Sequence, residues 1–302
     1  MRGLLILALT LAGAVPAGSS PLGFPADVLV EADTHSFRLL EVRFPSPSPG
    51  PIPGNATVWG HLYLPRHGRD HGRPPCVLVL PVMAAPNVWI ETRFVDELVR
   101  AGFAVMWIEM PYQFHRRPDP LVPSGQVFLS RTAAGLRRNF EQSTEDARRA
   151  LTWLRSSGLV DPDRIGLFGI SLGAIVGASV YSRDERPRAA VFLLGGADLP
   201  DLAFDGEMTA AFVRQAGISR EELRRQWRGM DPVDFRERNH GKKVELLNAR
   251  GDKVIPEANA LKLRDAFPDS TQSWVPFGHY GAIVHLSWLP TMVAWKFGAL
   301  LR

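Results

Sequence analysis

The segment Arg164-Ile-Gly-Leu-Phe-Gly169-Ile-Ser171-Leu-Gly173 decides the predicted fold of this 302-residue chain. An apolar run predicts a strand over Arg164–Phe168, and a second apolar run predicts a helix over Leu172–Tyr181. The pattern Gly-x-Ser-x-Gly stands between them, and its glycines permit a sharp, strained turn from strand to helix. Such a turn raises the Ser171 hydroxyl beside a helix N-terminus, where developing negative charge is favoured. Ser171 is therefore a candidate nucleophile, and a structural serine in a tight turn is the alternative.

The rest of the chain alternates short apolar runs with segments of helical spacing. Further strands are predicted at Cys76–Leu80, Ala104–Ile108, Ala189–Leu194, Val244–Ala249 and Gln272–Val275. Helices are predicted between and after them at Val88–Arg100, Ser143–Ser156, Pro256–Phe267 and Ala282–Leu300. This alternation is typical of βαβ units, so we expect an α/β fold with a mostly parallel central sheet and helices on both faces.

Two connections are longer than this alternation requires. Residues 111–140 follow the second of these strands, and residues 198–243 separate the fourth strand from the fifth. Long connections in compact domains are often binding loops or lids. Within the second connection, Glu221–Trp227 has the spacing of an amphipathic helix with an i,i+4 charge pair, Glu221–Arg225. We therefore predict a single domain over residues 18–302 with a small helical cap insertion at 198–243.

The chain resembles the α/β-hydrolase superfamily over residues 57–302. The Gly169–Gly173 pattern carries this resemblance, together with Asp161-Pro-Asp-Arg-Ile165 before it, which is similar to esterases and prolyl-peptidase-like hydrolases. The resemblance implies the α/β-hydrolase fold and a catalytic triad in the chain order serine, acid, histidine. It places the acid after a late strand and the histidine after the last strand.

Two residues occupy the positions that the resemblance implies for the acid and the base. Asp252 follows a predicted strand in Gly251-Asp-Lys-Val-Ile-Pro256, and His279 follows the last predicted strand in Gly278-His-Tyr280. A serine hydroxyl becomes a good nucleophile only when an imidazole accepts its proton, and a carboxylate must orient that imidazole. Asp252 could instead be a helix N-terminal acid, and His279 a turn residue. Asp198, after the fourth strand, is the reserve acid.

The oxyanion hole is expected to combine two backbone N–H groups. The first belongs to Leu172, the residue after the nucleophile. The second comes from the loop after the strand Cys76–Leu80, where many relatives carry His-Gly and this chain has Pro81-Val-Met-Ala-Ala-Pro86. Aligning the first two residues of that loop with His-Gly makes Met83 the donor and leaves Ala84 as the alternative.

Composition excludes several other kinds of protein. The net charge is +4 and basic residues are mostly interspersed with acidic ones, so no nucleic-acid partner is expected. Cys76 is the single cysteine, which excludes a disulfide framework and any multi-cysteine metal site. His67 and His71 have i,i+4 spacing but lie in loop sequence, so no metal is expected there. No glycine-rich nucleotide-binding motif occurs, and no cofactor is expected.

Residues 1–17 have the features of a secretory signal peptide. Arg2 precedes the apolar run Leu4–Val15, and small residues stand at the two positions that define cleavage after Ala17. A run of this length is short for a bilayer, which takes about 20 residues. We therefore expect a secreted or periplasmic protein with no stable membrane span after cleavage. An uncleaved anchor or a misassigned start is the alternative.

Two further segments bear on the substrate. His115, Arg116 and Arg117 follow the second predicted strand and could hold a substrate carboxylate or phosphate. A solvated loop, or pairing of an arginine with Asp119, is the favoured alternative. In the predicted cap, four apolar residues could line an acyl pocket or form the core of the cap: Met208, Phe212, Trp227 and Met230.

Taken together, these features predict a serine hydrolase that cleaves carboxylic esters through an acyl-enzyme on Ser171. Peptidase, thioesterase and acyltransferase activity are alternatives because they use the same machinery. A non-catalytic binding protein on the same fold is the alternative from a different class. The expected partner is a small-molecule acyl substrate, and the oligomeric state is left open.

Overall fold

The structure is a computed structural model that describes residues 23–66, 72–84 and 86–301. The predicted signal peptide at 1–17 lies outside these residues, and so do His67 and His71. The strand predictions can be compared with the structure throughout, because every predicted strand falls in the described part of the chain.

The described strands form one sheet of nine strands in the order β1-β2-β3-β5-β4-β6-β7-β8-β9. Their bounds are β1 Asp27–Asp33, β2 Phe37–Pro45, β3 Thr57–Pro65, β4 Cys76–Leu80, β5 Ala104–Ile108, β6 Ile165–Ile170, β7 Ala189–Leu193, β8 Lys243–Ala249 and β9 Thr271–Val275. The pairings β1·β2, β2·β3 and β3·β5 are antiparallel, and the pairings from β5 to β9 are parallel. The predicted mostly parallel sheet is confirmed.

The helices cover both faces of this sheet. Their bounds are α1 Trp89–Arg100, α2 Ala133–Ser156, α3 Leu172–Arg183, α4 Leu199–Asp205, α5 Glu207–Gln215, α6 Arg220–Trp227, α7 Glu257–Ala266, α8 Gly278–Gly281 and α9 Leu289–Leu300. Side chains of α2, α3 and α7 pack in one hydrophobic core, and side chains of α1 and α9 pack in the core on the opposite face. Strand β4 serves both: Cys76 and Leu78 belong to the first core, Val77 and Val79 to the second.

Two helix boundaries differ from the predictions. Helix α2 begins ten residues before Ser143, and Thr132 caps it by accepting the N–H of Gly135 at 3.0 Å. Ser143 is a buried interior residue whose hydroxyl donates to the carbonyl of Asn139. The predicted helix Ala282–Leu300 is divided into a short 3-10 helix over Ala282–His285 and α9, and α8 precedes both. Pro290 stands in the first turn of α9. It has no backbone N–H to bond to the preceding turn, so a continuous helix cannot run through it.

The connection between β7 and β8 is helical, as the cap prediction required. It contains α4, α5, α6 and a 3-10 helix over Pro232–Asn239. A small core of apolar side chains packs α4, α5 and α6 against the start of α2. The predicted Glu221–Arg225 pair is replaced by a different arrangement, in which Arg220 and Arg224 both pair with Asp201 of α4. These ion pairs connect α6 to α4 rather than joining two turns of α6.

No helix among the described residues is both long enough and apolar enough to span a bilayer.

Candidate active site

Ser171 lies in a strained turn between β6 and α3. Its backbone has φ 53° and ψ −117°, a conformation that side-chain-bearing residues rarely adopt. A Cβ on Gly169 would overlap the backbone of Gly173, and a Cβ on Gly173 would overlap the carbonyl of Leu80. Both flanking positions therefore require glycine, because the turn presses β6, α3 and the end of β4 together.

The structure brings Ser171, His279 and Asp252 into one hydrogen-bonded chain. Nε2 of His279 lies 3.0 Å from Oγ of Ser171, and Nδ1 of His279 lies 2.8 Å from Oδ2 of Asp252. The three residues come from three separate connections, after β6, β8 and β9. All three connections leave the carboxyl ends of parallel strands, so the sheet itself brings them together.

The loop around Asp252 is held by hydrogen bonds that do not involve His279. Oδ1 of Asp252 accepts the N–H groups of Val254 at 2.9 Å and Ile255 at 2.8 Å, which leaves Oδ2 for the imidazole. Glu257 in turn accepts the N–H of Gly251 at 3.0 Å. The Asp252 side chain is only 2% exposed, so its carboxylate is held rigidly and shielded from water.

Asp198, the reserve acid, lies in a different place. Its backbone N–H donates to Oδ1 of Asp231 at 3.1 Å. Asp198 is also the residue that precedes α4, and its φ is 61°. Burial, and then the nearby Asp201 carboxylate, raise the pKa of Asp198. His279 is paired with Asp252 instead.

The loop after β4 carries the two oxyanion-hole candidates that the sequence left open. Met83 lines the same space as Ser171. Ala84 has φ 57°, and a Cβ added to Gly125 would lie 2.6 Å from the Ala84 nitrogen. The nitrogen of Ala84 therefore lies close to Gly125, which restricts the space around it, while Met83 and Ala84 both line space that Ser171 also lines. Leu172 is the first residue of α3, where an N–H has no partner within the helix.

Sequence reasoning missed two buried residues that hold this loop. Oε1 of Glu91 accepts the N–H of Val82 at 2.9 Å, and Nε2 of Gln113 donates to the carbonyl of Val82 at 2.7 Å. Burial raises the pKa of Glu91. The signal for Glu91 was its position on the apolar stripe of α1, which it shares with Phe94 and Leu98.

Two apolar cavities meet at Ser171, and Met83 and Met208 line both of them. The cap cavity, of about 110 Å³, lies between the serine and the cap and is lined by Leu129, Leu136, Phe140, Ile175, Leu202 and Trp227. The histidine cavity, of about 360 Å³, lies on the other side and is lined by Ile90, Phe94, Leu194, His279, Tyr280 and Leu286. Of the four predicted pocket candidates in the cap, Met208 and Trp227 reach the cap cavity, while Phe212 and Met230 pack in the cores.

The basic loop after β5 does not form a substrate subsite at the serine. Arg116 is completely buried and pairs with Asp146 of α2 at 2.7 Å, not with Asp119. Arg117 donates to the carbonyls of Phe114 and Pro120. His115 lies against Glu109, with Nδ1 to Oε1 at 2.6 Å. Arg116 is therefore a structural residue, because its guanidinium is enclosed by protein.

Among the described residues, no group of three or more His, Cys, Asp or Glu side chains is arranged to hold a metal ion.

No protein-family profile matches the sequence, and comparison with curated proteins gives no match. Solved structures do match. An acetyl xylan esterase from Paenibacillus sp. R4 aligns with a TM-score of 0.70 at 16% identity, covering 93% of this chain and 90% of that one. Carboxyl esterase 2 from Tuber melanosporum aligns with a TM-score of 0.60 at 14% identity, covering 90% of each chain.

A third similar structure is a puromycin-hydrolyzing peptidase from Mycobacterium tuberculosis. It aligns with a TM-score of 0.63 at 14% identity, covering 96% of this chain and 54% of that one. At these identities the similarity establishes the fold. The chain has the α/β-hydrolase fold, which confirms the fold that its sequence predicted.

Proposed function

We propose that the protein is a serine hydrolase that cleaves carboxylic esters. The observation that carries this proposal is the continuous hydrogen-bonded chain from Ser171 through His279 to Asp252 at the mouth of two apolar cavities. Esterases among the similar structures favour ester hydrolysis on this fold.

The first half of the reaction forms an acyl-enzyme. His279 Nε2 accepts the hydroxyl proton of Ser171 while Oγ attacks the ester carbonyl carbon, and the carbonyl oxygen becomes an oxyanion. The protonated imidazole, stabilised by Asp252, then gives its proton to the leaving-group oxygen as the ester C–O bond breaks. The products of this half are a free alcohol and an acyl group on Ser171.

The second half returns the enzyme to its starting state. Water gives a proton to His279 Nε2 and its oxygen attacks the acyl carbon. The imidazolium proton then returns to Oγ of Ser171 as the acyl–Oγ bond breaks, which releases a carboxylic acid. In both halves the N–H groups of Leu172 and Met83 would stabilise the oxyanion. The position of Met83 beside Ser171, and the restricted space that Gly125 leaves around the Ala84 nitrogen, favour Met83 as the second donor.

The direct test is covalent labelling with a fluorophosphonate, read by intact mass, on the wild type and on Ser171→Ala. We expect one adduct on the wild type and none on the variant, and hydrolysis of an activated ester by the wild type alone. A folded wild type that takes no adduct would contradict the proposal and favour the non-catalytic binding protein. Matched ester, thioester and amide substrates with one acyl group would separate esterase from thioesterase and peptidase activity.

We also propose that the mature protein is secreted or periplasmic, on the sequence features of residues 1–17. Mass spectrometry of the protein exported by an expressing cell would give the mature N-terminus. A start at Gly18 is expected, and protein found only inside the cytoplasm with residues 1–17 intact would contradict the proposal.

A further inference from the structure

The two cavities at Ser171 differ in what they contact, and this decides which part of an ester each one would hold. The leaving-group oxygen must receive its proton from His279 Nε2, so the leaving group has to lie on the His279 side. The histidine cavity is the one that His279 and Tyr280 line. The cap cavity is bordered by Leu172 and Ile175 of α3, beyond the nucleophile, and is left for the acyl group.

The sizes of the cavities are unequal. A cavity of about 150 Å³ in another protein holds a benzene molecule. The cap cavity, at about 110 Å³, is smaller than that and is lined by bulky side chains such as Phe140 and Trp227. The histidine cavity, at about 360 Å³, falls within the range that binds drug-sized molecules, about 300–1,000 Å³. The acyl side is therefore small and the leaving-group side large.

Both cavities are apolar. Besides the serine, the polar groups described in the cap cavity are the hydroxyl of Thr209 and the indole N–H of Trp227, and those in the histidine cavity belong to His279 and Tyr280. Among the described lining residues there is no Asp, Glu, Lys or Arg. A sugar or a charged alcohol would lose hydrogen bonds to water there without replacing them. An aromatic or aliphatic leaving group would lose none.

From these three observations we propose the substrate class: neutral esters with a short acyl chain and a bulky apolar alcohol or phenol. This rests on the proposed esterase function. It separates the protein from a deacetylase acting on sugars, whose substrate would present hydroxyl groups to the histidine cavity.

Two substrate series test the assignment. In the first, p-nitrophenyl esters run from acetate through butanoate and hexanoate to decanoate, and we expect kcat/KM to peak at or below butanoate and to fall at least about tenfold by decanoate. In the second, the acyl group stays acetyl and the alcohol changes from methanol to benzyl alcohol, 1-naphthylmethanol and methyl xyloside, whose other hydroxyl groups stay free. The naphthylmethyl ester is expected to be the best of these.

Matched variants show which cavity sets which preference. Leu129→Ala enlarges the cap cavity by about three carbon atoms and should move the acyl optimum to longer chains without changing the order of alcohols. Ile90→Ala enlarges the histidine cavity and should change the alcohol preference alone. Both residues are only half-buried, which limits the loss of stability.

The two kinds of failure can be told apart in the same preparation. If the fluorophosphonate labels Ser171 but kcat/KM peaks at decanoate, or the monoacetylated methyl xyloside is the best acetyl donor, the substrate class is wrong and the esterase proposal stands. An exchange of the two variant effects would reverse the cavity assignment. Absence of both labelling and hydrolysis would contradict the esterase proposal itself.

A separate observation concerns the oxyanion hole. The carbonyl of Val82 and the N–H of Met83 belong to the same peptide unit, which is planar and trans, so they point in opposite directions. Gln113 donates to that carbonyl at 2.7 Å from a position that is 1% exposed. A carbonyl can only accept, so the amide nitrogen of Gln113 must face it. The orientation of the Met83 N–H is therefore fixed from behind by Gln113.

We propose that Gln113 is a positioning residue for the oxyanion hole, given the esterase function. Its Oε1 accepts the N–H of Met110 at 3.2 Å, which locks the amide in the orientation that donates to Val82. Glu91 holds the N–H of the preceding peptide unit, so the loop after β4 is fixed at two successive peptides. Neither side chain touches the substrate space directly.

The test compares Gln113→Met with Gln142→Met. Gln142 is a fully buried glutamine of α2 whose amide donates to the carbonyl of Asn55, so its replacement is a matched loss of a buried hydrogen bond. Both variants should lower the Tm. Only Gln113→Met should lower kcat, by about 10–100-fold with KM little changed, because one oxyanion donor is misaligned. Equal kcat values for Gln113→Met and wild type, measured below both Tm values, would overturn the assignment.

Gln113→Glu supplies a readout that a purely structural role would not move. A neutral carboxyl can donate to the Val82 carbonyl and an ionised one cannot. The kcat of this variant divided by the wild-type kcat should therefore rise as pH falls, because any pH dependence that the two proteins share cancels in the ratio. A ratio independent of pH, together with a normal fluorophosphonate labelling rate, would count against Gln113 and leave the esterase proposal intact.

Discussion

Two chains of hydrogen-bonded side chains in this protein use similar residue types in opposite settings. In one, Ser171 contacts His279 and His279 contacts Asp252, at the mouth of two cavities. In the other, the hydroxyl of Ser46 donates to Asp146 at 2.5 Å, and Asp146 accepts from Arg116 at 2.7 Å. Both include a serine and a buried aspartate, but only the first has an imidazole between them.

The difference explains why only one of them is a candidate for chemistry. In the chain Ser46–Asp146–Arg116 no imidazole lies beside the serine, and the carboxylate of Asp146 is held in an ion pair with Arg116. An arginine stays protonated at any ordinary pH and cannot act as a base. Arg116 is fully buried and Ser46 nearly so, which leaves no space for a substrate. That chain holds the loop after β5 to α2. Reactivity here depends on a titratable base and an open cavity, not on the presence of serine and aspartate.

The largest expected effect is on the first chain. Asp252→Asn should lower kcat for an activated ester by about 10⁴, because the imidazole would take the wrong tautomer while its position is kept. Asp198→Asn is the matched control and should keep kcat within about threefold, since His279 is paired with Asp252. Steady-state kinetics on both variants decides between the two acids. A larger loss in Asp198→Asn would make the reserve acid the catalytic one.

Changes in the second hydrogen-bonded chain, Ser46–Asp146–Arg116, should alter the free energy of unfolding. Arg116→Met leaves Asp146 buried without its cation and should reduce the free energy of unfolding by about 3–5 kcal/mol in urea titrations. Arg117→Met, which removes a partly exposed arginine bonded to carbonyls, should lose less than about 1 kcal/mol.

Replacing both members of the buried pair refines this comparison. Arg116→Met combined with Asp146→Leu should recover part of the stability lost in Arg116→Met, because no unpaired charge remains. A double variant less stable than Arg116→Met would mean that the hydrogen bond from Ser46 to Asp146 matters more than relief of the unpaired charge.

The smallest expected effect comes from Asp231, a buried carboxylate that forms no ion pair with any residue that the structure describes. Asp231 accepts N–H groups from Asp198 and Val233, and burial raises its pKa to about 6. The unfolded pKa is about 3.9, so the folded chain binds the proton more tightly and stability falls as pH rises from about 4 to 6. The wild type should lose about 2–3 kcal/mol over this range relative to Asp231→Asn. If the free energies of unfolding of the two proteins change with pH in the same way, the pKa of Asp231 is not raised by folding.

The sequence predicted those features whose signals lie within a short stretch of the chain. The turn at Ser171 needs glycines two residues away, and the strands of the parallel sheet are short apolar runs, so both are visible within about ten residues. The start of α2 was misplaced because its buried polar residues look like a loop. Gln142 finds its partners Ser46 and Asn55 at sequence separations of 96 and 87, which no local pattern reveals.

The same reasoning separates the site residues. Asp252 and His279 could be located from strand order together with the family resemblance, because the fold brings these strand ends together. Gln113 and Glu91 could not, since their role depends on hydrogen bonds to Val82 formed across the fold. The sequence offered Asp119 as a nearby partner for an arginine of the loop after β5, whereas Arg116 pairs with Asp146, 30 residues away.

The position of Cys76 in β4 has a practical consequence for experiments on this molecule. Its thiol is completely enclosed and burial raises its pKa, so thiol reagents should not reach it in the folded state. Among described residues the surface therefore presents no competing thiol, and a cysteine introduced at an exposed position would be the single reactive one. Met208 is 39% exposed at the border of the two cavities, so a fluorophore attached to the Met208→Cys variant would report ligand entry. The strand that carries the native thiol would stay unchanged.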